Sequence, residues 1–235
     1  LAIAPDGRHV YAVATTAKKV VVLSRNPSTG VLTSASTVRD ASGTPLDGVA
    51  AVLVTPDGRH VVVASADEDS LLLFNRNSTT GALTIADVET SATNLNGAGA
   101  LATTRDGASI YVTGFAGNSL AVYDRKTDTD TLVFRDLEVD GVLSVEGLNQ
   151  PRTVVVSPDG STVYVAGEGA DDTVAIFQRV QSGLDQGKVN FQATQGTVDP
   201  FGLAMSPAGE FLYVLSKNGS TLTVFAESAG AACDG

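Results

Sequence analysis

A tight-turn signature that recurs five times along the chain constrains its fold more than any other feature. The turns begin at Pro5, Pro56, Arg105, Pro158 and Pro207, so successive turns are 51, 49, 53 and 49 residues apart. Proline presets φ, aspartate bonds the backbone ahead and glycine accepts a positive φ, so each signature predicts a sharp reversal. A repeat of this length indicates one supersecondary unit that must stack on its neighbours to bury its faces.

The first four units contain the same four apolar runs, and the fifth contains the first three. Two runs flank the turn, a third follows a short polar loop, and a fourth follows a polar hairpin. In the second unit they cover residues 49–54, 61–64, 71–74 and 83–88. Their length and their Val, Ile, Leu, Thr and Tyr content predict strands. No window keeps a 3.6-residue apolar period for three turns, so helices should be few. The first three runs are nearly continuously apolar, as in strands buried on both faces, and the fourth alternates like an outer strand.

These features predict an all-β fold, a β-propeller of about five four-stranded blades. The predicted blades cover about residues 1–40, 49–91, 99–140, 153–196 and 202–227, and a tail covers residues 229–235. The last blade lacks its outer strand. We expect either a five-bladed ring whose closing strand lies outside this sequence or five blades of a seven-bladed ring; a β-sandwich and an open solenoid are the rival folds. The open fifth blade should contact a missing segment or another chain.

Composition excludes several classes of partner. The 26 acidic residues outnumber the 15 basic ones and leave a net charge of −11, which disfavours nucleic acid. No apolar run approaches the length of a transmembrane helix, so we expect no membrane insertion. The single cysteine, Cys233, is either an unpaired thiol or a partner for residues outside this sequence. The acidic, lysine-poor composition leads us to expect an extracellular or periplasmic location.

The repeat also resembles a known family. Residues 152–167 read RTVVVSPDGSTVYVAG, which is similar to the SPDG-x-x-VYVA core of the lactonase-like (YVTN-type) propellers. Residues 172–179, DTVAIFQR, and the Thr-Gly-x-Leu hairpins at 29–32 and 80–83 extend the resemblance over essentially the whole chain. The motifs are specific for the propeller superfamily and weak for any activity. The resemblance implies seven blades in most members and two different roles, sugar-lactone hydrolase or non-catalytic surface array.

Catalytic groups are scarce. The resemblance implies His, Arg and Glu at the top face or channel, yet the only histidines, His9 and His60, share one repeat position just after the turn, on the opposite face. A repeated position indicates a structural role. The same reasoning applies to the arginines that recur at the ends of third strands, Arg25, Arg76, Arg125 and Arg179. No Gly-x-Ser-x-Gly elbow, zinc-binding cluster or phosphate loop occurs.

Topology selects one rim as the candidate binding face. Loops from each fourth strand to the next blade lie on the same rim as loops between second and third strands. The candidate ligand-binding residues at this upper rim and channel mouth are Asp47, Asn96, Asn149, Arg152 and Asp199. Arg152 is the only basic residue where an inner strand begins. It is either an anion clamp or one half of an inter-blade ion pair.

Acidic loops on the same rim are the weak candidates for a metal site. Asp67 and Asp69 lie in the second unit, and Glu168, Asp171 and Asp172 lie at the corresponding place in the fourth. Carboxylate oxygens suit Ca²⁺, so Asp67, Asp69 and Asp171 are candidate calcium ligands, with a solvated loop as the alternative. No other cofactor is expected. Asp124, Asp128 and Asp130, around another hairpin, are expected to be solvated.

Three functional hypotheses follow. The leading one is a non-enzymatic propeller scaffold or binding module, secreted or at a cell surface, that takes a protein or small-molecule ligand at its upper rim. The alternative is a lactonase-like hydrolase of a sugar or small-molecule lactone with an atypical or truncated site. The third is a structural propeller stabilised by calcium.

Overall fold

A computed structural model describes residues 1–169, 172–197 and 199–226, and every regular element in these ranges is a β-strand. The strands are β1 (Ala2–Ile3), β2 (His9–Ala14), β3 (Lys19–Arg25), β4 (Leu32–Arg39), β5 (Val49–Val54), β6 (His60–Ser65), β7 (Ser70–Arg76), β8 (Leu83–Thr90), β9 (Ala98–Thr103), β10 (Ser109–Gly114), β11 (Ser119–Lys126), β12 (Thr131–Val139), β13 (Pro151–Val156), β14 (Thr162–Gly167), β15 (Thr173–Arg179), β16 (Val189–Gly196), β17 (Pro200–Met205), β18 (Phe211–Ser216) and β19 (Leu222–Ala226). The described part of the chain contains no helix that could cross a membrane.

The strands form five antiparallel sheets in which each strand pairs with its neighbour in sequence. Four sheets have four strands, and the fifth, β17–β19, has three among the described residues. The predicted all-β propeller, with a last blade that lacks its outer strand, is confirmed. The predicted tail with Cys233 lies outside the described residues.

The tight turns form by the mechanism that the sequence predicts. In the second blade, Asp57 Oδ1 accepts a hydrogen bond from the backbone N–H of Arg59 at 3.1 Å, and Gly58 adopts φ +69°. Asp6, Asp106 and Asp159 accept the equivalent bond in their blades. This local bond is available to an Asp-Gly pair wherever the chain lies, so the turn is encoded within each repeat.

Apolar side chains fill each boundary between neighbouring blades. Tyr11 and Val22 of the first blade pack against Val61 and Phe74 of the second, and the later boundaries repeat this arrangement. Three leucines from the loops that join blades, Leu46, Leu95 and Leu148, are fully buried in these clusters. The near-continuous apolar runs are therefore explained, because the middle strands of a blade contact a neighbour on each face.

On the lower face, an arginine joins the first two blades. Arg76, at the end of β7, donates from Nη2 to Asp6 Oδ2 at 2.7 Å and to His9 Nδ1 at 3.0 Å. Its Nε donates to Tyr11 Oη at 2.9 Å, and its Nη1 to the carbonyl of Gly58. Burial and the nearby Arg76 charge lower the pKa of His9, which favours the neutral ring that accepts this bond. We call this arrangement the arginine latch.

A second latch joins the second and third blades. Arg125 donates to Asp57 Oδ2 at 2.9 Å and to His60 Nδ1 at 2.8 Å, while His60 Nε2 lies 3.0 Å from Asp130 Oδ1. His9 and His60 are thus buried structural groups, as their repeated position predicts. The prediction that Asp124 is solvated is wrong, because its side chain is only 13% exposed and binds Lys126 and Arg135.

Candidate functional site

A repeated side-chain contact organises the upper rim. The residue just before each third strand has a positive φ between 45° and 49° in blades one to four. Its side chain then contacts the loop that leads into the next blade. Lys18 Nζ donates to Asp47 Oδ2 at 2.6 Å, and Asp69 accepts the N–H of Gly97 at 2.8 Å. Asn118 and Asp172 accept the N–H groups of Gln150 and Asp199 at 3.0 and 2.8 Å. Asp and Asn tolerate this left-handed conformation better than most residues. The contact connects neighbouring blades.

Four of the five predicted ligand-binding residues lie in this framework. Asp47 forms the ion pair with Lys18, and the N–H of Asp199 donates to Asp172. The backbone carbonyls of Asn96 and Asn149 accept hydrogen bonds from Gly117 and Gly169 at 3.0 and 3.1 Å. None of these four side chains lines the pocket described below, which contains Arg152. Their role in ligand binding stays a prediction.

The predicted calcium ligands do not converge in the described structure. Asp67 packs against Gly48, where an added Cβ would lie 2.5 Å from the Asp67 Cγ. Asp69 Oδ1 accepts the N–H of Gly97, and Asp171 lies outside the described residues. Within residues 1–169, 172–197 and 199–226, no three His, Cys, Asp or Glu side chains are grouped to hold a metal ion. Calcium binding stays an untested prediction.

A β-bulge at the start of the inner strand presents one residue per blade to the channel mouth. The register with the second strand shifts between Val49 and Ala51, between Pro151 and Thr153, and between Pro200 and Gly202. The bulged residues are Ala50, Arg152 and Phe201, all exposed although the residue before each is buried. Bulges re-aim side chains in this way, and they are common beside functional sites.

A second position adds to the channel mouth. In the second to fifth blades, the first residue after the second strand donates its N–H to the loop that begins the same blade, as in the bond from Glu168 to the Gln150 carbonyl at 3.1 Å. Phe115 and Lys217 make the same bond in the third and fifth blades. The backbone geometry is therefore repeated while the side chains differ.

The two positions bring five side chains together, which we call the Glu168 cluster: Phe115, Arg152, Glu168, Phe201 and Lys217. Glu168 Oε1 lies 2.5 Å from Lys217 Nζ, and its Oε2 lies 2.7 Å from Arg152 Nε. Only 12% of the Glu168 side chain is exposed, against 45% for Arg152 and 54% for Lys217. The hydrogen bonds from Lys217 and Arg152 hold the pKa of Glu168 below its usual value, so the carboxylate is ionised at neutral pH.

Aromatic rings support both cations. The guanidinium carbon of Arg152 lies 4.1 Å from the centre of the Phe115 ring, and Lys217 Nζ lies 5.7 Å from that of Phe201. Both distances are within the range of cation–π attraction. Arg152 thus contacts Glu168 within its own blade and Phe115 in the neighbouring blade. Arg152 therefore forms an ion pair within its own blade and not the inter-blade pair that was one of its two predicted roles; Lys217 forms the ion pair between blades.

A shallow pocket adjoins this cluster. It has a volume of about 290 Å³ and is lined by Ala50, Ala51, Gly99, Ala100, Phe115, Pro151 and Arg152. The small residues of the second and third blades leave room beside the Arg152 guanidinium. Of the three guanidinium nitrogens of Arg152, only Nε has a hydrogen-bond partner among the described residues. The two terminal nitrogens can therefore bind a ligand oxygen. The pocket is close to the lower size limit for a small-molecule site.

Sequence reasoning found Arg152 but did not connect it with Phe115, Phe201 or Lys217, and it assigned Glu168 to a cation-binding loop. A usable signal was present in the repeat. The residue before the third strand is Asp or Asn in the second, third and fourth blades, whereas the residue after the second strand reads Thr15, Ala66, Phe115, Glu168 and Lys217. Variation at one repeat position indicates a role that the common fold does not require.

The chain matches the family model described as "Lactonase, 7-bladed beta-propeller" over residues 1–140, 86–184 and 140–231. A solved structure from Bacteroides fragilis, provisionally described as a 6-phosphogluconolactonase, has a TM-score of 0.79 at 18% identity, covering 95% of this chain and 64% of that one. A second from Bacteroides uniformis, with the same provisional description, has a TM-score of 0.80 at 15% identity, covering 95% and 65%.

The periplasmic gluconolactonase of Pseudomonas aeruginosa is also similar, with a TM-score of 0.74 at 20% identity over 96% of this chain and 65% of that one. At such identities the likeness shows a shared fold. The chain spans 64–65% of the length of these three structures. No curated protein matches the chain in a sequence comparison.

Proposed function

The chain belongs to the lactonase family of seven-bladed β-propellers, and on this premise we propose that it acts in the hydrolysis of sugar or small-molecule lactones at the Glu168 cluster. The observation that carries the proposal is the ionised Glu168 carboxylate held between Arg152 and Lys217 at the channel mouth. The non-enzymatic scaffold, our leading hypothesis from the sequence, is not supported, because the family match and the lactonase-like structures favour the alternative.

Lactone hydrolysis needs a base and a group that stabilises negative charge on the carbonyl oxygen. In the proposed reaction a water oxygen attacks the carbonyl carbon while Glu168 accepts the water proton. The ring C–O bond then breaks, and the departing alkoxide takes the proton from Glu168, which yields the hydroxy acid and restores the Glu168 carboxylate. The free terminal nitrogens of Arg152 would donate to the oxyanion, or to an anionic substituent of the substrate.

The electrostatics of the cluster divide these roles unequally. A carboxylate with a lowered pKa is always ionised at neutral pH, but it is a weak base. We therefore expect charge stabilisation by Arg152 to contribute more to the rate than proton transfer to Glu168. Phe115 holds the Arg152 guanidinium against its ring and so restricts the directions in which the terminal nitrogens point.

Turnover of a panel of sugar lactones tests the proposal, with the rate corrected for spontaneous hydrolysis. Glu168→Gln should lower kcat by about 10²-fold or more, and Arg152→Ala should abolish measurable turnover. Asp185→Asn is the control, because it removes an exposed ion pair, that with Lys188, away from the pocket and should leave the rate unchanged. A folded protein that hydrolyses no lactone, or a Glu168→Gln variant as active as the wild type, would overturn the proposal.

A further inference from the structure

The arginine latch is missing from the boundary between the third and fourth blades. Arg179, at the end of β15, occupies the repeat position of Arg76 and Arg125, but Ser109 stands where the earlier blades carry His9 and His60. Arg179 Nη2 donates to Ser109 Oγ at 3.2 Å, and Nη1 to Gln181 Oε1 at 3.4 Å. Within the described residues, no carboxylate forms an ion pair with Arg179.

Two buried polar atoms at this boundary also lack partners. In the first latch, Arg76 Nε donates to Tyr11 Oη at 2.9 Å. The equivalent atoms here, Arg179 Nε and Tyr111 Oη, are both buried, and neither has a hydrogen-bond partner among the described residues. Burial raises the pKa of Tyr111 to about 12 although the nearby Arg179 charge opposes the rise. The direct bond between arginine Nε and tyrosine Oη that closes the first latch is therefore absent from this boundary.

A pocket of about 410 Å³ opens beside Arg179 on the lower face. Its lining includes the cationic side chains of Arg125, Lys126, Arg135 and Arg179, and one acidic side chain, Asp124. The loop from Gly183 to Gly187 borders it, and Gly187 approaches Asp124 and Arg135.

The charges in this pocket do not balance. Arg125 is neutralised by Asp57, while Lys126 and Arg135 share the single carboxylate of Asp124. Asp106 lies near enough to interact with the Arg179 charge but forms no ion pair with it among the described residues, so the pocket lining keeps an excess of positive charge. The chain as a whole has a net charge of −11, so this local excess is opposite in sign to the average surface. Such a pocket attracts anions by its local field.

We propose that this lower-face pocket, between the third and fourth blades, binds a phosphate group, free or as the ester of a small molecule. A tetrahedral oxyanion accepts hydrogen bonds from the guanidinium of Arg179 and from the Ser109 hydroxyl, with Lys126 and Arg135 on the opposite side. Guanidinium groups bind phosphate through paired N–H donors, which suits an arginine without a carboxylate partner. The site is on the face opposite the Glu168 cluster and is independent of lactone hydrolysis.

Calorimetric titration with inorganic phosphate at low ionic strength tests the site. All variants carry Arg152→Gln, so that the upper-rim arginine does not contribute to the signal. Arg179→Gln should weaken phosphate binding at least tenfold, because a charge-assisted donor pair is lost. Arg25→Gln is the matched control at the same repeat position in the first blade, where the guanidinium bonds the Gly7 carbonyl, and should bind as the parent does.

A second variant restores the latch residue. Ser109→His introduces the side chain of the two earlier blades, which should engage Arg179 and exclude phosphate while the protein stays folded. Titration of the parent with glucose 6-phosphate separates the two sources of the anion: tighter binding than inorganic phosphate indicates an ester, and equal or weaker binding indicates the free ion. Absence of phosphate binding to the parent, or equal binding by the parent and the Arg179→Gln variant, would overturn the proposal.

Discussion

Arg76 Nη2 lies 2.7 Å from Asp6 Oδ2 across the boundary between the first and second blades, and only 2% of the Arg76 side chain is exposed. The pair joins residues 70 positions apart in the sequence. Because Arg76 also donates to Tyr11, His9 and Gly58, it uses its guanidinium as a connector between two sheets that share no backbone hydrogen bonds.

Removal of this connector should destabilise the fold. We expect Arg76→Ala to lower the free energy of unfolding by about 2–3 kcal/mol, because the buried His9 ring nitrogen and Tyr11 hydroxyl lose their partner. Arg25→Ala is the matched change at the same repeat position, where the arginine donates only to the Gly7 carbonyl, and should cost about 1 kcal/mol. Urea denaturation measures both values. Equal losses for the two variants would show that the latch does not connect the blades energetically.

Gly30 and Gly81 occupy the same repeat position, but replacement by alanine should cost different amounts of stability because only Gly81 packs against a neighbouring blade. Gly30 and Gly81 both adopt φ +74°, but an added Cβ meets nothing within 4 Å at Gly30, whereas at Gly81 it lies 2.4 Å from His9 Cδ2. Gly30→Ala should cost about 1–2 kcal/mol for the left-handed backbone. Gly81→Ala should cost about 1–3 kcal/mol more, because His9 must move. Thermal unfolding of the two variants checks the difference, and a Gly30→Ala variant as unstable as Gly81→Ala would contradict it.

Glu138 predicts a pH dependence of stability. Burial, and then the Asp136 charge, raise the pKa of Glu138 from 4.5 to about 7 in the folded chain. Below pH 4.5 Glu138 is protonated in both the folded and the unfolded chain, and its full contribution to stability is present. This contribution is lost as the pH rises through 7, because the folded state disfavours the ionised carboxylate. Glu138→Gln should therefore stabilise the protein by about 1–2 kcal/mol at alkaline pH, with allowance for partial exposure, and hardly at all at pH 4.5.

Denaturation curves at both pH values give this measurement. Glu146→Gln, a change in an exposed loop, is the control for removal of a charge alone. A Glu138→Gln effect of the same size at both pH values would assign the change to packing and not to ionisation.

Lys217 should set the pH range in which the Glu168 cluster is active. Its hydrogen bond is the largest cause of the lowered pKa of Glu168, followed among the lowering contacts by that from Arg152. Lys217→Met should raise the Glu168 pKa, so the acidic limb of the lactone-hydrolysis profile should move to higher pH while the rate above that limb changes little. A carboxyl ¹³C titration of Glu168 provides a readout without activity. An unchanged titration curve in the variant would show that Lys217 does not control the carboxylate.

The sequence alone determined the unit of this fold. The Asp-Gly turns close through bonds between residues two apart, and the apolar runs report which strands are covered on both faces. The number of blades within this chain and the strand order of each were therefore predictable, whereas the blade number of the whole ring was left open. The structural roles of His9 and His60 were also predictable, because a residue that recurs in each unit serves what the units share.

Only the tertiary structure decided which residues meet. Glu168 and Lys217 are 49 residues apart and belong to different blades, and no local pattern shows that a bulge and a loop position converge on the same carboxylate. The tertiary structure likewise directed Asp47, Asp69 and Asp199 into contacts between blades, and it left Arg179 without the carboxylate that Arg76 and Arg125 bind. Turns and strands form from interactions within one repeat, whereas these contacts depend on how neighbouring blades are rotated and stacked around the channel.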